Sequence, residues 1–209
     1  MEPEGDAPGT VGVKAVFVGF TGAGKTAIFS ALLGKGFEGD SAPTVAAAHG
    51  SLGITAGGQA VRLDLWDTAG SERFEALNRL YYRSARVALA VFDVTSRQSF
   101  DQMGKFLAVV PEECDPTQPE DLVVAILANK TDLEETRVVS REEGEAFATS
   151  RGYIYLETSA KLGKGIDAIV PALAEALGKR PDLLVASNKE ALSIQDPEDP
   201  QPSPKPGCC

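Results

Sequence analysis

The sequence predicts an α/β fold built on a mainly parallel sheet with helices covering both faces. Two observations carry that expectation. From Val13 onward, short apolar runs of strand length alternate with amphipathic stretches of helix length, the pattern of βαβ units. Helix punctuation also falls where it should. Ser140 followed three residues later by Glu143 makes a capping box, and Gly178 stands where the last helix should close. The strand-like runs, in order, are Val13–Val18, Ser51–Ile54, Val61–Trp66, Val87–Phe92, Leu122–Leu127 and Tyr153–Glu157. The helix-like segments between them are Lys25–Leu33, Phe74–Tyr82, Ser99–Val110, Arg141–Arg151 and Ile166–Leu177. In open sheets of this kind ligands gather outside the carboxyl ends of the strands. Residues that carry chemistry should therefore cluster there.

Composition bounds the function. The 209 residues suit one domain plus a tail, and 43% hydrophobic with 24% charged residues is ordinary for a globular chain. A formal charge of −10 argues against nucleic acid as a partner and against electrostatic adhesion to anionic lipid. No apolar run reaches the roughly 18–20 residues needed to cross a bilayer, and the acidic, proline-containing start has no signal-peptide core. Three cysteines, Cys114, Cys208 and Cys209, make no disulfide framework. Cys114, near Pro111 and Pro116, reads as an inert loop thiol. Residues 1–12 read as a disordered lead-in and 13–180 as the folded domain. Residues 181–209, proline-rich and poor in large apolar side chains, read as a flexible tether.

Directly after the first strand comes Gly19-Phe20-Thr21-Gly22-Ala23-Gly24-Lys25-Thr26, a G-x-x-x-x-G-K-T phosphate loop. Its glycines let the backbone curl tightly enough to aim several N–H groups at one phosphate chain. The helix that starts at Lys25 adds its positive end, through Ala27. The Lys25 ammonium suits β- and γ-phosphates, and the Thr26 hydroxyl suits Mg²⁺.

A second motif, Asn129-Lys130-Thr131-Asp132, follows the fifth strand in the form N-K-x-D. The Asp132 carboxylate can accept from both N1–H and the exocyclic amine of guanine. Adenine offers the opposite pattern and would strand a charged acceptor, which costs several kcal/mol. The Lys130 stem can lie over the base plane. After the last strand, Thr158-Ser159-Ala160-Lys161 supplies backbone N–H groups suited to guanine O6. An ATP-dependent kinase sharing only the phosphate loop fails on Asp132.

With these motifs in order, the chain from about Val13 to Leu177 resembles the Ras superfamily. The resemblance implies a three-layer α/β/α domain: a six-stranded, mostly parallel sheet with an antiparallel second strand, and about five helices. It implies that Asp67, in Trp66-Asp67-Thr68-Ala69-Gly70, holds Mg²⁺ through water and that the Gly70 amide donates to the γ-phosphate. It also implies that Thr44, after Pro43, ligates Mg²⁺ in the triphosphate state and that Phe37 packs on the guanine edge. The WDTAG-x-ERF stretch, Leu80-Tyr81-Tyr82-Arg83 and the terminal Cys208-Cys209 resemble the Rab family within it. That likeness implies geranylgeranyl groups on both cysteines, and two chains hold a membrane where one is marginal. The tail has no polybasic patch to assist. Implied partners are an exchange factor, a TBC-type GTPase-activating protein, a GDI or escort chaperone, and effectors on the switch face of a monomer. The implied location is the cytoplasmic face of an intracellular membrane, with a cytosolic GDI-bound pool.

Two departures stand out. Ser71 occupies the position of the family's glutamine, whose amide orients the attacking water. A hydroxyl on that short side chain cannot reach, so intrinsic hydrolysis should be slow. The other expectation from the same residue is a largely GTP-locked membrane scaffold. His49 replaces the phenylalanine of an aromatic effector patch that includes Trp66 and Tyr81. As the sole histidine it reads as a partly exposed, idle imidazole. The Ala47-Ala48 stretch resembles endosomal Rab proteins more than secretory ones.

Overall fold

The computed structural model describes residues 9–37, 39, 44, 47–68, 80–114 and 121–186. A six-stranded sheet runs in the order β2-β3-β1-β4-β5-β6. Its strands are β1 (Val11–Val18), β2 (Ala48–Ala56), β3 (Gln59–Asp67), β4 (Val87–Asp93), β5 (Val123–Asn129) and β6 (Ile154–Glu157). Only β2 is antiparallel; it pairs with β3 through the Gly57-Gly58 turn. The strand β1 lies between β3 and β4, parallel to both. Successive connections leave it in opposite directions, so its carboxyl end is the switch point where such sheets bind ligands.

The helices are α1 (Lys25–Leu32), α2 (Arg97–Cys114), α3 (Arg141–Thr149), α4 (Ile169–Gly178) and α5 (Pro181–Ala186). Strand alternation sorts side chains into two cores. Val13, Ala15 and Phe17 of β1 join α1, α4 and α5 through Ile28, Phe29, Leu173, Leu177, Leu183 and Leu184. Val16 and Val18 join α2 and α3 on the other face through Phe100, Met103, Leu107 and Ala148. The strands β4 and β5 are buried along their whole length, as helix-covered parallel strands must be.

Several boundaries differ from the sequence reading, each for a physical reason. The helix α2 runs through Pro111 to Cys114 instead of stopping at Val110. A proline inside a helix costs about 3 kcal/mol, but Val110 and Cys114 beyond the expected stop are both buried. Cys114 is therefore a core residue at a helix end, and burial pushes its thiol up to about 12. The capping box is half made. The Ser140 hydroxyl accepts the Glu143 N–H at 3.2 Å, while the Glu143 carboxylate turns to the Arg97 guanidinium.

The helix α4 begins at Ile169, later than Ile166, because Gly163 and Gly165 hold left-handed backbone before it. Gly178 is not a left-handed cap. It is glycine because a Cβ there would stand 2.8 Å from the Gly57 nitrogen. The expected helix Phe74–Tyr82 falls mostly outside the described residues, with residues 80–82 helical.

Helical structure also continues past the expected boundary at 180, in Pro181–Ala186. In α5, Leu183 and Leu184 are buried against the first core, and Arg180 ties Asp121 to Asp182. Leu184→Ala should cost about 3 kcal/mol. A thermal melt should read this as a drop of about 6–12 °C; an unchanged midpoint would show that α5 adds nothing to the fold.

Candidate functional site

The carboxyl ends of β1, β3, β4 and β5 converge on one rim of the sheet. From β1 the chain enters the loop Gly19–Gly24. Gly19 has φ +142° and lies so close to β4 that a Cβ would sit 2.2 Å from the Val91 carbonyl. The helix α1 then starts with Gly24 in the left-handed conformation and no side-chain cap. Its ladder begins at the Ile28 N–H, which donates to Gly24 O at 3.0 Å, so the amides of Lys25, Thr26 and Ala27 precede the first rung. An uncapped amide cluster with a positive dipole end is an anion site when a glycine-rich loop wraps it. Thr21 and Gly22 are exposed at the loop's tip, and Ala23 is buried beneath it.

Lys25 is almost completely buried and spans the loop from inside. Its Nζ donates to Gly19 O at 2.9 Å and to Phe20 O at 3.1 Å. Burial lowers its pKa to about 8, with Asp67 pulling the other way. This ammonium, held in a dry loop, is placed to meet a polyanion.

Beside it lies an oxygen cluster. The Thr26 hydroxyl donates to Asp67 Oδ2 at 2.7 Å and lies 2.8 Å from the Thr44 hydroxyl. Thr26 has already directed its proton to the carboxylate, so Thr44 is the donor in the second contact. Asp67 is fully buried, and its Oδ1 has no hydrogen-bond partner among the described residues. Burial raises its pKa, against the Thr26 hydrogen bond and the Lys25 charge. An orphaned carboxylate oxygen beside two hydroxyls is the hard-oxygen set that Mg²⁺ prefers. The residues present fit that ion.

The base side is assembled around Asn129. Its Nδ2 donates to Ala23 O at 3.0 Å. Its Oδ1 accepts the Ala160 N–H at 3.2 Å and the Thr158 hydroxyl at 3.2 Å. One buried side chain thus joins the phosphate loop, the N-K-x-D turn and the Thr158–Lys161 loop. The Asp132 carboxylate accepts the Ser159 hydroxyl at 2.6 Å, and the Thr131 N–H donates to Thr158 O at 3.1 Å. Lys130 takes a left-handed φ of 67°, and its Nζ lies 2.7 Å from Asp93 Oδ2. Phe37, 47% exposed, lines a pocket of about 740 Å³ with Ala160, Lys161, Asp167 and Pro171, and neither Lys130 nor Asp132 lines it.

The sequence-predicted residues from the phosphate loop, Thr44, Asp67, Asn129 to Asp132 and the 158–161 loop therefore share this rim. Gly70, Ser71, Cys208 and Cys209 lie outside the described residues. The sequence reading missed Asp93. Its signal was a lone carboxylate closing the otherwise apolar run VALAVFD.

The patch expected around His49 is also assembled. Its ring lies 4.8 Å from that of Trp66, which lies 5.6 Å from Tyr81, with Lys14 Nζ 5.3 Å from the Trp66 ring. The imidazole is half exposed, as expected, and its Nε2 lies 3.7 Å from Asp64 Oδ1, beyond hydrogen-bond distance. No helix among the described residues is long and apolar enough to cross a membrane.

Comparison with known proteins agrees with this arrangement. The family model described as "Ras family" matches residues 14–179. The chain is 37% identical over 198 residues to the Caenorhabditis elegans protein "Ras-related protein Rab-10", an alignment covering 94% of this chain and 95% of that one.

Proposed function

Because the chain belongs to the Ras family of small GTPases, and within it to the Rab type, we propose that it is a membrane-held GTP/GDP switch that recruits effectors in vesicle traffic. GTP hydrolysis is the activity of this family. The observation that supports this site most directly is Asn129, which joins three separated motifs on one rim of the sheet.

In this reading the amides of Thr21 to Ala27 and the Lys25 ammonium hold the phosphates. Phe37, the Lys130 stem, Ala160 and Lys161 enclose the base, and Asp132 selects guanine. Thr26 and Thr44 would ligate Mg²⁺, with Asp67 holding it through water. When bound, the ion neutralises charge on the β- and γ-phosphate oxygens. Thr44 and the Gly70 amide close on the γ-phosphate side and order two segments near 37–49 and 67–83; loss of that phosphate frees both.

Ser71 leaves the attacking water without an amide to orient it, so intrinsic hydrolysis falls below the ~10⁻⁴ s⁻¹ scale of the class. A TBC-type activator that inserts its own arginine and glutamine would restore turnover. An exchange factor reloads the site. Geranylgeranyl groups on Cys208 and Cys209 hold the membrane, endosomal by the Ala47-Ala48 stretch, and a GDI-type chaperone extracts them. Ser71 also favours a second reading, a GTP-locked scaffold with little turnover.

Single-turnover hydrolysis separates these readings. The natural chain is expected below that rate scale, with Ser71→Gln about tenfold or more faster. A natural rate at or above the scale, unmoved by Ser71→Gln, sinks the slow-turnover claim. Full rescue by an activator favours the switch over the scaffold. Failure to take up guanine nucleotide with Mg²⁺ would sink the whole reading.

A further inference from the structure

We propose that Asp93 is a positioning residue for guanine nucleotide binding, acting through Lys130. The inference rests on the nucleotide-site reading above.

Asp93 is the last residue of β4 and lies opposite Asn129 in the β4–β5 register. Both of its carboxylate oxygens are assigned. Oδ1 accepts the Thr95 N–H at 2.8 Å and the Thr95 hydroxyl at 2.7 Å. Oδ2 takes the Lys130 ammonium at 2.7 Å. The backbone beneath it is fixed as well. The Asp93 N–H donates to Ser99 Oγ at 2.9 Å, and the Val94 N–H donates to Asn129 O at 3.0 Å. The carboxylate therefore cannot turn without breaking a bond to Thr95, and the residue is 8% exposed.

Lys130 needs such a holder. Its backbone is in the left-handed region, where a residue with a Cβ stays only if its surroundings insist. Its side chain is about one-third exposed and carries four rotatable bonds, so without an anchor it would sample solvent. A base-stacking role requires that stem to lie flat along one line before the nucleotide arrives. With Nζ fixed on Asp93 and Cα fixed by the turn, both ends of the stem are pinned. The carboxylate thus prearranges a contact that it does not itself make.

The competing account is that Asp93 only clamps the turn through Thr95. A double-mutant cycle on the full chain distinguishes the two. Protein loaded with a fluorescent GDP analogue in Mg²⁺ is chased with excess GDP, and release is timed. Asp93→Asn keeps the shape and an oxygen for Thr95, but turns an amide toward the ammonium. It should speed release about tenfold. In a Lys130→Met background it should add less than about twofold, because the group it positions is gone.

An unchanged rate in Asp93→Asn, or the same acceleration in both backgrounds, overturns the proposal while leaving the nucleotide site standing. If the natural chain does not retain the analogue, or Lys130→Met does not loosen it, the parent reading fails first. Should Asp93→Asn not fold, Thr95→Val removes the hydroxyl bond to Oδ1, leaving the backbone N–H bond and the carboxylate's charge in place. It should produce a smaller acceleration, again only with Lys130 present; an acceleration without Lys130 overturns the proposal.

Discussion

Asp132→Asn should turn a guanine site into one that prefers xanthine, with GTP affinity falling about 10³-fold. The carboxylate presents only acceptors, matched to the two N–H donors on the guanine edge. Asparagine presents one acceptor and one donor, matched to the N1–H and O2 of xanthine. The exchange removes one charge-assisted hydrogen bond and sets a donor against a donor. Each of those is worth about 1.5–3 kcal/mol, and their sum of about 4 kcal/mol is a factor near 10³. The scaffold should survive, since the Ser159 hydroxyl that now donates to Asp132 Oδ1 at 2.6 Å can donate equally to an amide oxygen. Competition of GTP and xanthosine triphosphate against a fluorescent nucleotide measures the swap. GTP affinity within tenfold of the natural chain would show that selectivity does not reside in that side chain.

Gly19→Ala should cost more than about 4 kcal/mol of stability, a loss of about 8–16 °C in Tm. The new methyl would sit 2.2 Å from the Val91 carbonyl, at a φ of +142° that side chains avoid. Val91 cannot retreat, because it is fully buried and hydrogen-bonded in the middle of the sheet. Gly22→Ala is the control. Gly22 also has positive φ, at +75°, but a Cβ there meets nothing within 4 Å, so only about 1–2 kcal/mol of backbone strain applies. Equal melting of the two variants would mean that close approach to β4 is not what demands glycine at position 19.

Much of this architecture was legible because the informative residues act locally. Six strands and four of the helices follow from runs whose period and punctuation lie within a dozen residues. The phosphate loop and the N-K-x-D turn carry their chemistry in their own spacing. What escaped depends on distant neighbours. Gly178 ends its helix where expected, yet what demands glycine there is Gly57, far away in sequence. The helix expected to stop at Val110 runs on through Pro111, with Cys114 buried at its end. The helix α5 looked like tether because two leucines make a weak signal until the first core receives them. Asp93 falls just past the expected strand Val87–Phe92; only the register that sets it against Asn129 reveals Lys130 as its partner.

The bare contact between Gly57 and Gly178 has a mechanical consequence. Strand β3 carries Asp67 at one end and meets that contact near the other, roughly 27 Å away at the usual strand rise. With no side chain between hairpin tip and helix, the tip has no slack. A shift of Asp67 that carried β3 as a rigid rod would pivot about this contact. A single methyl at position 178 would change the lever's resting angle while leaving every nucleotide-facing atom chemically intact.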